Sequence, residues 1–189
     1  MHALRTHLAR RNPRFRCRDV SEEHHLTVNL SSSTGKPATP RELEALRAIA
    51  GAQYALLEPL YRLFNGLALH GHQDTYGLVV APIEQLAEFA SDWKDSFYVD
   101  EPDLYPFQRH GIAFATIANS GNYFAAHDDK IYYDDHDGGD DTVWANDLES
   151  FFERAVRDPA KFLYDAGCYT RYFDGKTDRQ FIPVEFLHD

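Results

Sequence analysis

The residues with the clearest capacity for chemistry form an acidic run from Asp128 to Asp141, which contains seven aspartates. Oxygen-rich clusters of this kind bind Ca²⁺ or Mg²⁺. An EF-hand loop that begins at Asp135 fails, because Asp140 occupies the glycine position and Asn146 the final glutamate position. Three interpretations stay open: a metal site of another geometry, a solvated loop, and an acidic surface that receives a basic partner.

A second candidate metal site is the alternating sequence His70, His72 and Asp74. On a strand, this spacing would project three ligands toward one side. The intervening Gly71 favours a flexible loop instead. The chain contains no phosphate-binding loop, dinucleotide-binding fingerprint or nucleophile elbow, so no catalytic site and no cofactor are predicted.

The composition excludes several classes of protein. The 189 residues carry 19 basic and 30 acidic side chains, a net charge of −11, which disfavours nucleic acid as a partner. Residues 1–18 hold six arginines and no acid, so residues 19–189 have a net charge of −17. Two cysteines exclude a disulfide scaffold. No apolar run approaches 18 residues, which predicts no membrane span. The Arg-rich start lacks the apolar core of a secretory signal, so the cytoplasm is the expected compartment.

The helical patterns lie mainly in the first half of the chain. Thr39, Pro40 and Glu42 form a capping box before a helix that ends at Gly51. A second helix is predicted over 53–64, starting or kinking at Pro59, and a third begins at Pro82 with Ala87 on its apolar side. The acid- and proline-rich residues 94–110 predict a loop, and Asn146 with Glu149 predicts the cap of a later helix.

The strand patterns follow these helices. Residues 111–118 alternate, which would place Ile112, Phe114 and Thr116 on one face. Residues 121–134 predict a hairpin that turns at Asp128-Asp129, so that Ala126 opposes Ile131 and Phe124 opposes Tyr133. Tyr123, Ala125 and Tyr132 would then share the other face with Asp134. Further strands are predicted at 75–80, 142–145 and on both sides of Asp174-Gly175.

This order predicts an α+β fold with a single mixed, mainly antiparallel sheet flanked by helices. Residues 1–34 are predicted as an Arg-rich arm and linker whose degree of order is open, and the linker-like run Ser31–Pro37 crosses the boundary to the next segment. Residues 35–158 form the predicted domain. Residues 159–189 are predicted as a C-terminal elaboration packed on that domain.

Several segments, in this order, resemble the SUKH superfamily, the Smi/Knr-type domain of bacterial immunity proteins and yeast cell-wall regulators. The resemblance covers Leu56 to Val156. The helix opening Glu58-Pro59-Leu60-Tyr61 departs from the family pattern. The matching segments are Asn65-Gly66, Phe114-Ala115, Gly121-Asn122-Tyr123-Phe124-Ala125, Ile131-Tyr132-Tyr133 followed by Asp135-His136, and Ala145 to Phe152.

The resemblance implies a non-enzymatic domain that binds and neutralises a cognate toxin, often a nuclease, with His136 in a structural role. The negative charge independently suits a basic partner. A regulatory scaffold of the same fold and a metal-dependent hydrolase are the alternatives. The expected partner-binding residues are exposed acids of the hairpin and the following loop: Asp128, Asp129, Asp134, Asp137, Asp140 and Asp141.

Overall fold

The computed structural model describes residues 1–9, 14–19, 25–71, 77–96, 104–118, 120–136, 142–166, 170–173 and 178–183. The helices are α1 His2–Leu8, α2 Pro40–Ala50, α3 Tyr54–Tyr61, α4 Ile83–Asp95, α5 Pro106–His110, α6 Leu148–Arg157 and α7 Pro159–Asp165. The strands are β1 Arg14–Asp19, β2 His25–Asn29, β3 Ser31–Thr34, β4 Leu67–Gly71, β5 Leu78–Val80, β6 Ile112–Ile117, β7 Tyr123–His127, β8 Lys130–Asp134, β9 Val143–Ala145, β10 Thr170–Phe173 and β11 Asp178–Pro183.

The strands form two sheets, and every pair among the described strands is antiparallel. A seven-stranded sheet has the order β3-β4-β5-β6-β7-β8-β9. Strands from both ends of the chain form a second sheet in the order β10-β11-β1-β2. The α+β class is confirmed. The prediction of one mixed sheet is corrected, because pairing between the two chain ends leaves no trace in local sequence.

The predicted hairpin is confirmed residue by residue. Ala126 pairs with Ile131 and Phe124 pairs with Tyr133, so the two-residue turn sets the register. Successive residues therefore point to opposite faces of the seven-stranded sheet. We call the face that carries Phe124 the inner face and the face that carries Tyr123 the outer face.

The inner face supports the main hydrophobic core, which is centred on Phe124. This ring lies within 5.0–6.1 Å, centroid to centroid, of the rings of Tyr133, Trp144, Phe151 and Phe162. Edge and offset contacts of this kind add to the apolar burial that holds α6 and α7 against the sheet. The apolar sides of α2 and α3 join the same core through Leu43, Leu46, Leu57, Leu60 and Tyr61.

The outer face carries a smaller aromatic cluster made of Trp93, Phe107, Tyr105 and Tyr132 with Ala113 and Ala125. Phe107 stacks on Tyr132 at 4.8 Å with the ring planes 6° apart. Phe107 belongs to α5, in a segment predicted as loop, and α4 itself extends to Asp95. That prediction was wrong because the five residues of α5 are too few to show a helical period, and burial against the sheet holds the helix.

Helix α4 is fixed at its start by Asn65. Its Oδ1 accepts from the backbone N–H of Ile83 at 2.7 Å, and its Nδ2 donates to Glu42 and Glu84 at 3.1 and 3.2 Å. Gly66 follows at φ 90°, a conformation that favours glycine. Asn65 thus caps α4, a helix that begins eighteen residues further along the chain.

The starts of α2 and α6 and the proline within α3 differ in how closely they follow the sequence predictions. The Thr39–Glu42 capping box of α2 is confirmed. Helix α6 is capped by Asp147, whose Oδ1 accepts from the Ser150 N–H at 2.7 Å, so the predicted cap at Asn146 was one residue early. Helix α3 begins before Pro59 and runs through it. The carbonyl of Ala55, which loses its hydrogen bond to the proline, belongs to an exposed residue that water can solvate.

Three predicted positions are corrected by packing. A bulge between Ala113 and Ala115 shifts the alternation of β6, so Thr116 pairs with Tyr123 on the outer face instead of sharing a face with Phe114. On α4, Ala87 is exposed rather than buried, and the buried side of the helix extends to Trp93. The serine run Ser31–Thr34 is an edge strand rather than a linker, because it pairs with β4.

The first residues of the chain also pack on the domain. Leu4 of α1 is fully buried, and the Glu149 carboxylate of α6 accepts from the backbone N–H groups of His2 and Ala3 at 3.0 and 3.2 Å. Residues 77–80 of the predicted strand 75–80 are described, and Leu78–Val80 form β5. The hairpin expected around Asp174-Gly175 pairs as β10 and β11, with the turn itself outside the described residues.

Replacing Asn65 by alanine should lower the free energy of unfolding by about 1–2 kcal/mol, because it removes the cap of α4. Urea denaturation at pH 7 measures the change. Asn146→Ala is the matched control, since Asn146 is exposed and does not cap α6. Its effect should stay within about 0.5 kcal/mol. Equal losses in the two variants would contradict the assignment of Asn65 as the cap.

Candidate functional site

The candidate site is the tip of the β7–β8 hairpin, where Asp128 and Asp129 lie in solvent. Their φ angles are 46° and 58°, and His127 pairs with Lys130 to close the turn. Two consecutive positive φ angles define a type I′ turn, which matches the twist of the flanking strands. The turn therefore holds two adjacent carboxylates at a defined place on the surface.

The two residues of this turn are not the pair that a type I′ backbone prefers. Asn-Gly is the preferred pair for a type I′ turn, because glycine has no Cβ to clash at positive φ. Asp128 and Asp129 both occupy the left-handed region, and their charges repel each other at neighbouring positions. Backbone stability alone would favour a different pair of residues.

A histidine lies beneath the tip. His127 is 8% exposed, and its Nε2 lies 3.4 Å from an Asp128 carboxylate oxygen. Its Nδ1 has no hydrogen-bond partner among the described residues. The exposed ring of His110 at the end of α5 lies 6.3 Å from the His127 ring, so the side of the hairpin combines imidazoles with carboxylates.

Asp134 is not part of this exposed surface, and that prediction is corrected. It is 5% exposed on the outer face, where Oδ2 accepts from the Trp93 indole N–H at 2.8 Å and Oδ1 from Gln108 Nε2 at 2.9 Å. Gln108 Oε1 in turn accepts from the Tyr105 N–H at 3.0 Å. The carboxylate thus joins α4 and α5 to strand β8. Its predicted position on the face of Tyr123 and Tyr132 is correct.

The remaining predicted acids are Asp137, Asp140 and Asp141, and they lie outside the described residues. Of the six predicted partner-binding residues, the described part of the chain therefore brings only Asp128 and Asp129 together on the surface. Asp135, which follows the buried Asp134, is half-buried and lies near His136.

Asn122 is a structural residue whose role the sequence does not reveal. It is 3% exposed, and its Oδ1 accepts from both the backbone N–H and the ring Nδ1 of His136, at 3.2 and 2.8 Å. Its Nδ2 donates to the Tyr133 hydroxyl and to the Ala166 carbonyl, at 2.6 and 3.2 Å. Asn122 thereby ties the start of β7 to the end of β8 and to α7. These contacts are of the kind that the predicted structural role of His136 requires.

His70 lies in β4, and its ring makes a contact inside the core. Its φ is 61°, which breaks the alternation of β4 and directs the ring to the inner face, where Nε2 donates to the Ala155 carbonyl at 2.7 Å. Its Nδ1 has no partner among the described residues, and the His7 ring lies 5.3 Å away. His72 and Asp74 lie outside the described residues, within which no group of three potential metal ligands occurs.

Comparisons with known proteins leave the resemblance as a hypothesis. No protein-family model matches the chain, and neither the curated proteins nor the solved structures contain a match. Among the described residues, no helix has the length and apolar character required to cross a bilayer.

Replacing Asp134 by asparagine should lower the free energy of unfolding by about 1–3 kcal/mol, because the amide NH2 group replaces one carboxylate oxygen and then faces the N–H of either Trp93 or Gln108. Chemical denaturation followed by tryptophan fluorescence measures this loss. Asp129→Asn removes a carboxylate from the exposed tip and should leave stability within about 0.5 kcal/mol of the parent. A neutral result for Asp134→Asn would show that the buried contacts are not required.

The buried His70 should make the fold less stable in mild acid. Burial lowers the pKa of His70 to about 4, against the opposing effect of the Ala155 carbonyl. The unfolded chain takes up a proton at this position below about pH 6.5, whereas the folded protein does not until about pH 4. Between about pH 6.5 and pH 4, unfolding is therefore accompanied by proton uptake at His70, so the free energy of unfolding falls as the pH falls through this range.

Between pH 7 and pH 5 this group should reduce the free energy of unfolding by about 2 kcal/mol. Asn tolerates positive φ and does not titrate, so His70→Asn should show a correspondingly smaller loss over the same interval. Denaturation curves at the two pH values measure the difference. Identical pH dependence in parent and variant would contradict a depressed pKa at His70.

Proposed function

We propose that this protein is a non-enzymatic binding domain that neutralises a basic toxin, in the manner of the SUKH immunity proteins that it resembles. The observation that supports the proposal most directly is the Asp128-Asp129 turn. Two exposed carboxylates occupy positive-φ positions that a less strained pair would fill if the turn served the fold alone. Binding to a positively charged surface supplies a reason for keeping them.

The overall charge supports the same partner chemistry. A protein with a net charge of −11 attracts a basic protein over distances longer than direct contacts, and this steering raises the association rate. The tip projects its charges into water, where they meet a partner first. For the compartment we propose the cytoplasm, where both cysteines would stay reduced.

The test compares three purified baits in lysate of the native cell at 50 mM salt: the parent, Asp128→Asn/Asp129→Gly and Glu44→Gln. Glu44 lies on α2 with 76% of its side chain exposed, which matches the 78% of Asp128. Because Asn-Gly suits a type I′ turn, the double variant should be as stable as the parent or up to about 1 kcal/mol more stable.

We expect a basic polypeptide to be retained by the parent and by Glu44→Gln, and to be lost from the double variant. With that polypeptide purified, its association rate with the double variant should be about fivefold lower, and the parent should inhibit its toxic activity. Equal retention by all three baits, or a partner whose activity is unaffected by binding, would refute the proposal. Recovery of non-toxic regulatory or envelope proteins would favour the scaffold alternative.

A further inference from the structure

An open row of side chains, which we call the trough, crosses the outer face of the seven-stranded sheet and deepens into a depression over β3, β4 and β5. The strand register aligns one residue from each of five neighbouring strands: Ser33, Ala68, Val79, Thr116 and Tyr123. Ser33 is exposed and the other four are half-buried, in contrast to the fully covered inner face. Four strand spacings give this row a length of about 19 Å.

Helix α4 forms one wall of the trough and follows the row. Glu84 and Gln85 line a depression of about 620 Å³ together with Ser33, Ala68 and Val79. Further along, the Phe89 ring lies 5.4 Å from the Tyr123 ring, and Trp93 reaches Asp134, the β8 neighbour of Tyr123. The helix rises about 16 Å from Glu84 to Asp95, which matches the length of the floor.

The solvent side of α4 is a stripe of acids, which we call the α4 acidic stripe: Glu84, Glu88, Asp92 and Asp95. All four are exposed, and the spacing of four, four and three residues places them on one side of the helix. In the described part of the chain none of them forms an ion pair. Like charges at i and i+4 destabilise a helix, so the stripe is a cost to the fold.

The negative charge extends over the floor of the trough. Burial raises the pKa of the Tyr123 hydroxyl, and the nearby carboxylates of Asp92 and Asp134 raise it further. The trough therefore combines a floor of small, partly apolar side chains with a negative potential from one wall. Such a surface accepts side chains that have aliphatic stems and cationic ends, as lysine and arginine do.

We propose that this trough binds an extended segment of a partner protein with lysine or arginine at alternate positions. Successive acids of the stripe are separated by about 6 Å along the helix axis. Alternate residues of an extended chain are about 6.7 Å apart and point to the same side. Five or six residues fill the row, with the basic side chains toward α4 and the small residues between them over Ala68 and Val79.

This inference rests on the proposed function, since it assigns a second contact with the same basic partner. Binding at the trough requires a particular spacing of basic side chains on the partner, whereas attraction to the hairpin tip depends only on the partner's total charge. The two surfaces carry separate acids, Glu88 and Asp92 on α4 and Asp128 and Asp129 on the turn, so each double variant is the charge-matched control of the other.

The test uses two capped seven-residue peptides of identical composition, four arginines and three serines, with the arginines alternating in one and consecutive in the other. Binding is measured by fluorescence polarisation at 50 mM salt to the parent, to Glu88→Gln/Asp92→Asn and to Asp128→Asn/Asp129→Gly. We expect the alternating peptide to bind the parent about fivefold more tightly than the consecutive one. The α4 variant should lose about tenfold in affinity and the hairpin variant should lose none.

Equal affinity of the two peptides, or equal losses in the two variants, would overturn the trough as a specific site and leave only diffuse attraction. Circular dichroism of the α4 variant checks that its helix is intact, which is expected because both positions are exposed. Failure of this test alongside hairpin-dependent capture from lysate would refute the trough alone. Peptide binding at the trough without hairpin-dependent capture would refute the proposed function alone.

Discussion

The placement of helix α4 is the constraint on which the surface of this protein depends. Hydrogen bonds from outside the helix hold both of its ends: Asn65 Oδ1 accepts from Ile83 at the start, and Asp134 accepts from Trp93 near the end. Apolar contacts in between are divided between the inner core and the outer aromatic cluster. A helix pinned in this way presents its solvent side in one orientation, which is what aligns the acidic stripe with the outer face of the sheet.

The aspartates of one hairpin have opposite physical roles. Asp134 is buried and accepts two hydrogen bonds, so its charge is satisfied internally and serves packing. Asp128 and Asp129, six and five residues earlier, are exposed at positive φ, where their charges add repulsion and backbone strain. Acids of the first kind are explained by the fold, and acids of the second kind need a reason outside it. This difference is why the tip, and not the whole acidic run, supports a binding role.

Short-range patterns proved reliable where one local interaction decides the structure. The capping box of α2 and the register of the β7–β8 hairpin follow from residues three to nine positions apart, and both are confirmed. The errors arose where packing overrides local preference. The short helix α5 and the serine strand β3 are held by neighbours far away in sequence, and the bulge in β6 breaks the alternation of that strand.

By itself, the sequence determined the α+β class, the hairpin with its two-aspartate turn and the acidic charge that favours a basic partner. Only the tertiary structure decided which acids are exposed, because burial of Asp134 depends on Trp93 and Gln108, residues 41 and 26 positions away. It also decided that Asn65 caps α4, that His70 points to the inner core, and that Glu84 of α4 lines a depression over β3, β4 and β5. These features depend on the juxtaposition of distant segments, which no local periodicity encodes.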